Sequence, residues 1–183
     1  MPRIAPLDYS NLTPEQEWAV QRFKDGQIGA VRGPAEAWLR SPGIADPCRQ
    51  LVEFCRYNTS LPREVIEIAI LLTGRHWRAQ VEFWGHSRMA RQVGIPDDVI
   101  EAIRTGERPS LDSADLQIAY DLVSEYFARN RVSPATYARA IEAFGEQGLV
   151  ELIGAVGLYG LVSMTLNIFE AQVPAGETPP FEE

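Results

Sequence analysis

The run Val65-Ile-Glu-Ile-Ala-Ile-Leu-Leu72 constrains this chain more than any other stretch. Leu61-Pro62-Arg63-Glu64 opens a helix there and Gly74 closes it. With apolar residues at nearly every position, almost every face of that helix is apolar, so it must be buried. One residue conflicts with that environment. Glu67 stands in the middle of the run, where a carboxylate is costly unless something needs it.

Helical signals dominate the rest of the chain. Thr13-Pro14-Glu15-Gln16 is a capping box with proline at the first helical position, opening a helix to about Gly26 or Gly29. Short helices follow over Pro34–Arg40 and about Asp46–Tyr57. Beyond Gly74 the spacing predicts a helix from about His76 to Val93, stopped by Gly94, and another from Pro96-Asp97-Asp98 to Ile103. An amphipathic helix over about Ser113–Arg129, one opened by Ser133-Pro134, and a long apolar helix over about Gln147–Ala171 complete the pattern. No segment alternates as a strand does, and the expected fold is all-α.

At 183 residues the chain fits a single domain, expected over 1–173 with its chemistry-bearing region at 49–105. The Pro-rich segment 174–183 reads as a flexible or surface-draped tail. A net charge of −8 argues against nucleic acid or an anionic membrane as partner, and means that an anionic substrate needs a local basic pocket. Met1 to Tyr9 has no apolar signal region, so the cytoplasm is the expected compartment. Leu149–Phe169 is long and apolar, but an early Glu151 and a polar end suit a buried helix better than a membrane span. Gly154, Gly157 and Gly160 would let a second helix approach it, within the subunit or across an oligomer interface.

The stretch Ala79-Gln-Val-Glu-Phe-Trp-Gly-His86 carries the chemistry. On a helix Glu82 and His86 share a face one turn apart, with Ala79 on the same stripe. Phe83 and Trp84 can exclude water, which strengthens every electrostatic interaction inside. Burial raises a carboxyl pKa towards the useful range for proton transfer, so Glu67, Glu82 and His86 form a candidate acid–base set. The plainer alternatives are an ion pair of Glu67 with Arg63, Arg75 or Arg78, and a histidine that only packs. His76, Arg75 and Arg78 lie at the mouth of the motif helix, where cations oppose the helix dipole, which favours an anion-binding task for them. No metal is expected, since Glu-x-x-x-His beside one more Glu matches no standard ligand set. Cys48 and Cys55, seven apart on one predicted helix, lie about 10.5 Å apart along its axis, too far for a disulfide.

Arg63-Glu64-x-x-Glu67-Ile-Ala-Ile-Leu-Leu, then Glu82-Phe83-x-x-His86, then Ala90-x-x-x-Gly94-Ile-Pro-Asp-Asp-Val-Ile-Glu-Ala-Ile103 resembles the carboxymuconolactone decarboxylase family, which includes the alkyl hydroperoxidase D branch. The resemblance implies a helical fold assembled as a trimer or hexamer, with the site near a subunit interface. In the peroxidase branch the helix bears Cys-x-x-Cys-x-x-x-His, with a Glu twelve residues before the first Cys. Here those cysteines become Ala79 and Glu82, while Glu67 and His86 match the Glu and the His. The decarboxylase branch resembles Tyr-Glu-Trp-x-x-His, which here reads Val81-Glu82-Phe83-Trp84-Gly85-His86.

The expectation is therefore a cofactor-independent lyase or isomerase acting on a small lactone or unsaturated oxo-acid. His86 would donate a proton, Glu82 would orient it, and Glu67 would be the second acid–base group. Arg75 or Arg78 would hold a carboxylate, with Phe83 and Trp84 against the substrate. Two rivals stand beside it: a peroxidase-like member using Cys48 or Cys55, and a non-catalytic helical oligomer.

Overall fold

α4 (Arg63–His76) is the axis of the molecule, and every residue from Val65 to Gly74 is buried. α5 (Gln80–Gln92), α7 (Ala114–Arg129) and α8 (Pro134–Ile168) pack around it, so its unbroken apolar surface meets a neighbour on each side. α1 (Pro14–Asp25), α2 (Ala35–Trp38) and α3 (Pro42–Glu53) form an N-terminal layer, and α6 (Asp97–Thr105) covers one end of α4 and α5. This computed structural model describes residues 2–182, and among them there is no strand.

Local chemistry fixes several ends as expected. The Thr13 hydroxyl accepts from the Gln16 amide at 3.2 Å while the Gln16 side chain accepts from the Thr13 amide at 2.9 Å. Ser133 caps α8 through the Thr136 amide at 3.2 Å, ahead of Pro134.

The junction before the motif helix differs from expectation. α4 runs through Gly74 to His76, and α5 begins only at Gln80. Between them Arg78 takes a left-handed conformation (φ 49°), and the Ala79 amide closes back on the Gly74 carbonyl at 2.8 Å. Arg75 and His76 therefore occupy the last turn of α4, where the dipole favours cations, and the reasoning that made them an anion site at a helix N-terminus does not apply.

Two further departures shape the site. The expected helix over Asp46–Tyr57 begins earlier, at Pro42, and gives way to a π-helical turn over Phe54–Asn58. The two C-terminal helices are one element, α8, broken at Gly145 (φ 65°, ψ 179°) and ending at Ile168. α8 is long and apolar enough to cross a membrane, but 56% of its most apolar window lies inside the fold. Residues 174–182 run along α5 and α6. Phe181 is buried against Phe83, their rings 5.1 Å apart, and both its backbone groups bond to the Gln80 side chain, at 2.7 and 2.9 Å.

Candidate active site

Three elements meet at His86. α4 contributes Glu67, α5 contributes Glu82 and His86 one turn apart, and α8 contributes Tyr159; all four are buried. Nδ1 of His86 lies 2.7 Å from Oε2 of Glu67, whose other oxygen accepts from Arg63 at 3.2 Å. On the far side of the ring, Nε2 lies 3.1 Å from Nη2 of Arg56 and 3.1 Å from Oε1 of Glu82. The Tyr159 ring meets the imidazole edge-on, centroids 4.9 Å apart.

The hydrogen-bond roles follow from what each group can do. A guanidinium only donates, so the Nε2 that receives Arg56 offers its lone pair and Nδ1 carries the hydrogen that goes to Glu67. Glu67 thus orients the ring, the role the sequence reading gave to Glu82. Oε1 of Glu82, although close to Nε2, has no hydrogen-bond geometry with it and no other partner among the described residues.

The two carboxyls are driven apart electrostatically. Burial pushes Glu67 up, but His86 and Arg63 outweigh it and hold the carboxyl below its ordinary value. Burial pushes Glu82 up, and the opposing pull of His86 and Arg56 does not cancel it. The surroundings therefore favour the charged form of the carboxyl behind the imidazole and the neutral form of the one in front of it. Glu67 and Glu82 sit on opposite ring nitrogens, so the three groups do not converge on a common point as metal ligands must.

A cavity of about 760 Å³ opens onto this cluster. Glu82, His86, Arg56 and Tyr159 line its polar end, and Phe23, Trp38, Val52, Val162 and Leu166 line its apolar walls. Trp84 also lines it, with Nε1 donating to Glu177 at 3.0 Å and Arg88 lying over its ring at 4.4 Å. Phe83 instead packs against Phe181 and faces away from this cavity. Arg75 and Arg78 line a separate depression with Arg104 and Glu182, and Arg78 bonds to the Glu182 carbonyl. The structure thus gathers Glu67, Glu82, His86 and Trp84 and leaves Phe83, Arg75 and Arg78 elsewhere.

Arg56 and Tyr159 went unnoticed in the sequence. Arg56 reaches the site only because the π-helical turn carries it there, and nothing in its neighbours signals that turn. Tyr159 left a signal: a phenol within an apolar run must find a polar partner when buried. That partner is Nε of Arg56, at 3.0 Å.

No family model and no curated relative matches the sequence. Solved structures do match. An uncharacterised peroxidase-related protein from Ralstonia eutropha JMP134, described as an alkylhydroperoxidase AhpD core, superposes with a TM-score of 0.76 at 12% identity, over 95% of this chain and 93% of its own. The fold is AhpD-like. A peroxidase-related protein from Silicibacter sp. TM1040 gives a TM-score of 0.74 at 10% identity, over 95% and 92% of the two chains. The debrominase Bmp8, in complex with 2,3,4-tribromopyrrole, gives 0.67 at 14% identity, over 94% and 91%. On this AhpD-like scaffold the two sequence cysteines are both buried, and neither lines the His86 cavity.

Proposed function

We propose that the chain is a cofactor-independent acid–base enzyme of the carboxymuconolactone decarboxylase type, a lyase or isomerase acting on a small lactone or an unsaturated oxo-acid. The observation that carries this reading is the divided pair of carboxyls around one imidazole. Glu67 holds His86 so that Nε2, which Arg56 contacts at rest, presents its lone pair on the side of Glu82, whose carboxyl burial shifts towards the protonated form.

In a decarboxylation, the bond to the departing carboxylate breaks, its electron pair moves through the conjugated system onto the carbonyl oxygen, and carbon dioxide leaves. Glu82 then delivers its proton to carbon and recovers one from solvent. In an isomerisation, Nε2 of His86 takes a proton from carbon and Glu82 supplies one at the other end of the conjugated system. The two groups then reset by exchange with solvent in the cavity, His86 releasing the proton it took and Glu82 regaining one. Both routes draw their proton from Glu82; His86 is the base of the isomerisation and, in the decarboxylation, the group that holds Arg56 in place. The cavity is large enough for a ring-sized acid.

The peroxidase-like alternative has less behind it. Cys48 and Cys55 are buried, and burial with the charge of Glu151 pushes the Cys55 thiol up to about 11, away from the thiolate that peroxide chemistry needs. The test is turnover of candidate lactones and unsaturated oxo-acids, followed by chromatography. His86→Ala should lower turnover by roughly 10²–10⁴-fold with the helical circular dichroism unchanged. Equal turnover by the variant would remove His86 from the chemistry.

A further inference from the structure

Arg56 is held differently from the other arginines of the interior. Arg49 pairs with Asp46 at 2.8 Å and with Glu53 at 2.6 Å, and Arg63 pairs with Glu67 at 3.2 Å. Arg56 is partly buried, yet among the described residues no carboxylate stands within ion-pair distance of it. Its direct partners are a phenol and the lone pair of an imidazole, both uncharged, and Glu82 attracts it only from farther off. Its charge is thus left without an anionic partner within ion-pair distance inside the fold, which leaves room for an anion from the cavity.

The donors left over point to where it would sit. Nη1 of Arg56 donates to no described residue. Tyr159 accepts from Arg56 through its oxygen, so its own O–H is directed elsewhere, and no described residue receives it. Burial disfavours ionisation of that phenol, which therefore remains a donor. Both side chains line the cavity beside His86. Of the carboxyls near this corner, burial holds Glu82 above its ordinary value, which lessens its charge, and Glu67 lies behind the imidazole with Arg63 against it.

We propose that Arg56 and Tyr159 are the anion-binding end of this cavity, taking the charged oxygen of a conjugated organic anion. The apolar walls formed by Phe23, Trp38 and Leu166 select an organic body over an inorganic ion. Resting on the acid–base reading above, that oxygen is the enolate oxygen formed when carbon dioxide or a carbon-bound proton departs. Two donors aimed at a charge that develops only during reaction lower the barrier more than they tighten substrate binding. Arg56 thereby takes the anion-holding task that the sequence suggested for Arg75 and Arg78.

The probe is 4-nitrophenol, a planar, unreactive mimic of a conjugated enolate, whose visible absorbance reports its anion directly. Titrated with the wild-type protein across pH, it should bind at least about tenfold more tightly as phenolate than as phenol. Tyr159→Phe, which keeps the ring, should reduce phenolate binding about tenfold, and Arg56→Gln should abolish the preference for the anion. The proposal is overturned if the phenolate shows no saturable binding, or if its preference survives both Arg56→Gln and Tyr159→Phe. Phenolate binding without turnover of any candidate acid would leave the anion site standing and remove the acid–base reading. Turnover without phenolate binding would do the reverse.

Discussion

Glu67 and Glu82 are the same side chain on the two nitrogens of one imidazole, and their surroundings shift their titration in opposite directions. Glu67 accepts from His86 and from Arg63, two donors that favour its charge, whereas Oε1 of Glu82 has no partner to offset burial. The consequences for stability have opposite signs. Because the folded protein holds the Glu67 carboxyl low, Glu67 contributes stability above its unfolded value, near 4.5, and loses it as pH falls through the lower folded value. Because Glu82 is held high, its contribution is complete below about pH 4.5 and is lost as pH rises through the raised folded value. Glu67→Gln should therefore destabilise the protein at pH 7 by roughly 1–3 kcal/mol, with the deficit shrinking in acid. Glu82→Gln should match or exceed the wild type at pH 7 and lose that advantage in acid, while turnover falls. Urea unfolding midpoints across pH 3 to 8 check both, and parallel curves for the two variants would contradict the assignment.

α8 shows how a single backbone position sets the shape of an element. At Gly145 the chain takes φ 65° and ψ 179°, a region open in practice only to glycine, and no neighbouring atom would touch a side chain there. Gly145→Ala should cost roughly 1–3 kcal/mol purely through the backbone, which thermal unfolding would reveal. An unchanged melting temperature would mean that the break is not held by conformational preference. The same position limited the reading of the sequence: the helix opened by Ser133-Pro134 and the later apolar run were both legible, but not that they form one broken rod. What was legible elsewhere had local causes, such as the Thr13 capping box and the buried apolar run of α4 with its discordant Glu67. The α4–α5 junction was misplaced because Arg78, a residue type that seldom adopts positive φ, makes the turn that a glycine normally advertises. The π-helical turn and its cargo, Arg56, depend on packing between distant segments: Arg63 grips the Arg56 carbonyl at 2.7 Å, and Tyr159 arrives from 103 residues further on. No local pattern encodes such a meeting.

The inner face of α8 presents Tyr159 to the site, and much of its outer face is exposed. Val150, Ile153 and Ile168 are 68%, 59% and 61% exposed, with Gly157 and Met164 at helical spacing between them and no atom near a side chain built on Gly154 or Gly157. Isolated exposed apolar residues are ordinary, but a continuous stripe of large apolar and small residues along one helix marks an interface. Glycines on such a stripe let a second backbone come close, so a matching helix from another copy is the occupant that fits it best. Such a contact would involve the same helix that carries Tyr159. Ile153→Glu sets a charge in the centre of the stripe without touching the core. Sedimentation velocity should show the wild type as a multiple of the 20.4 kDa chain and the variant shifted towards monomer, with unchanged circular dichroism. A wild type that sediments as a monomer at micromolar concentration would assign the stripe to something other than self-association.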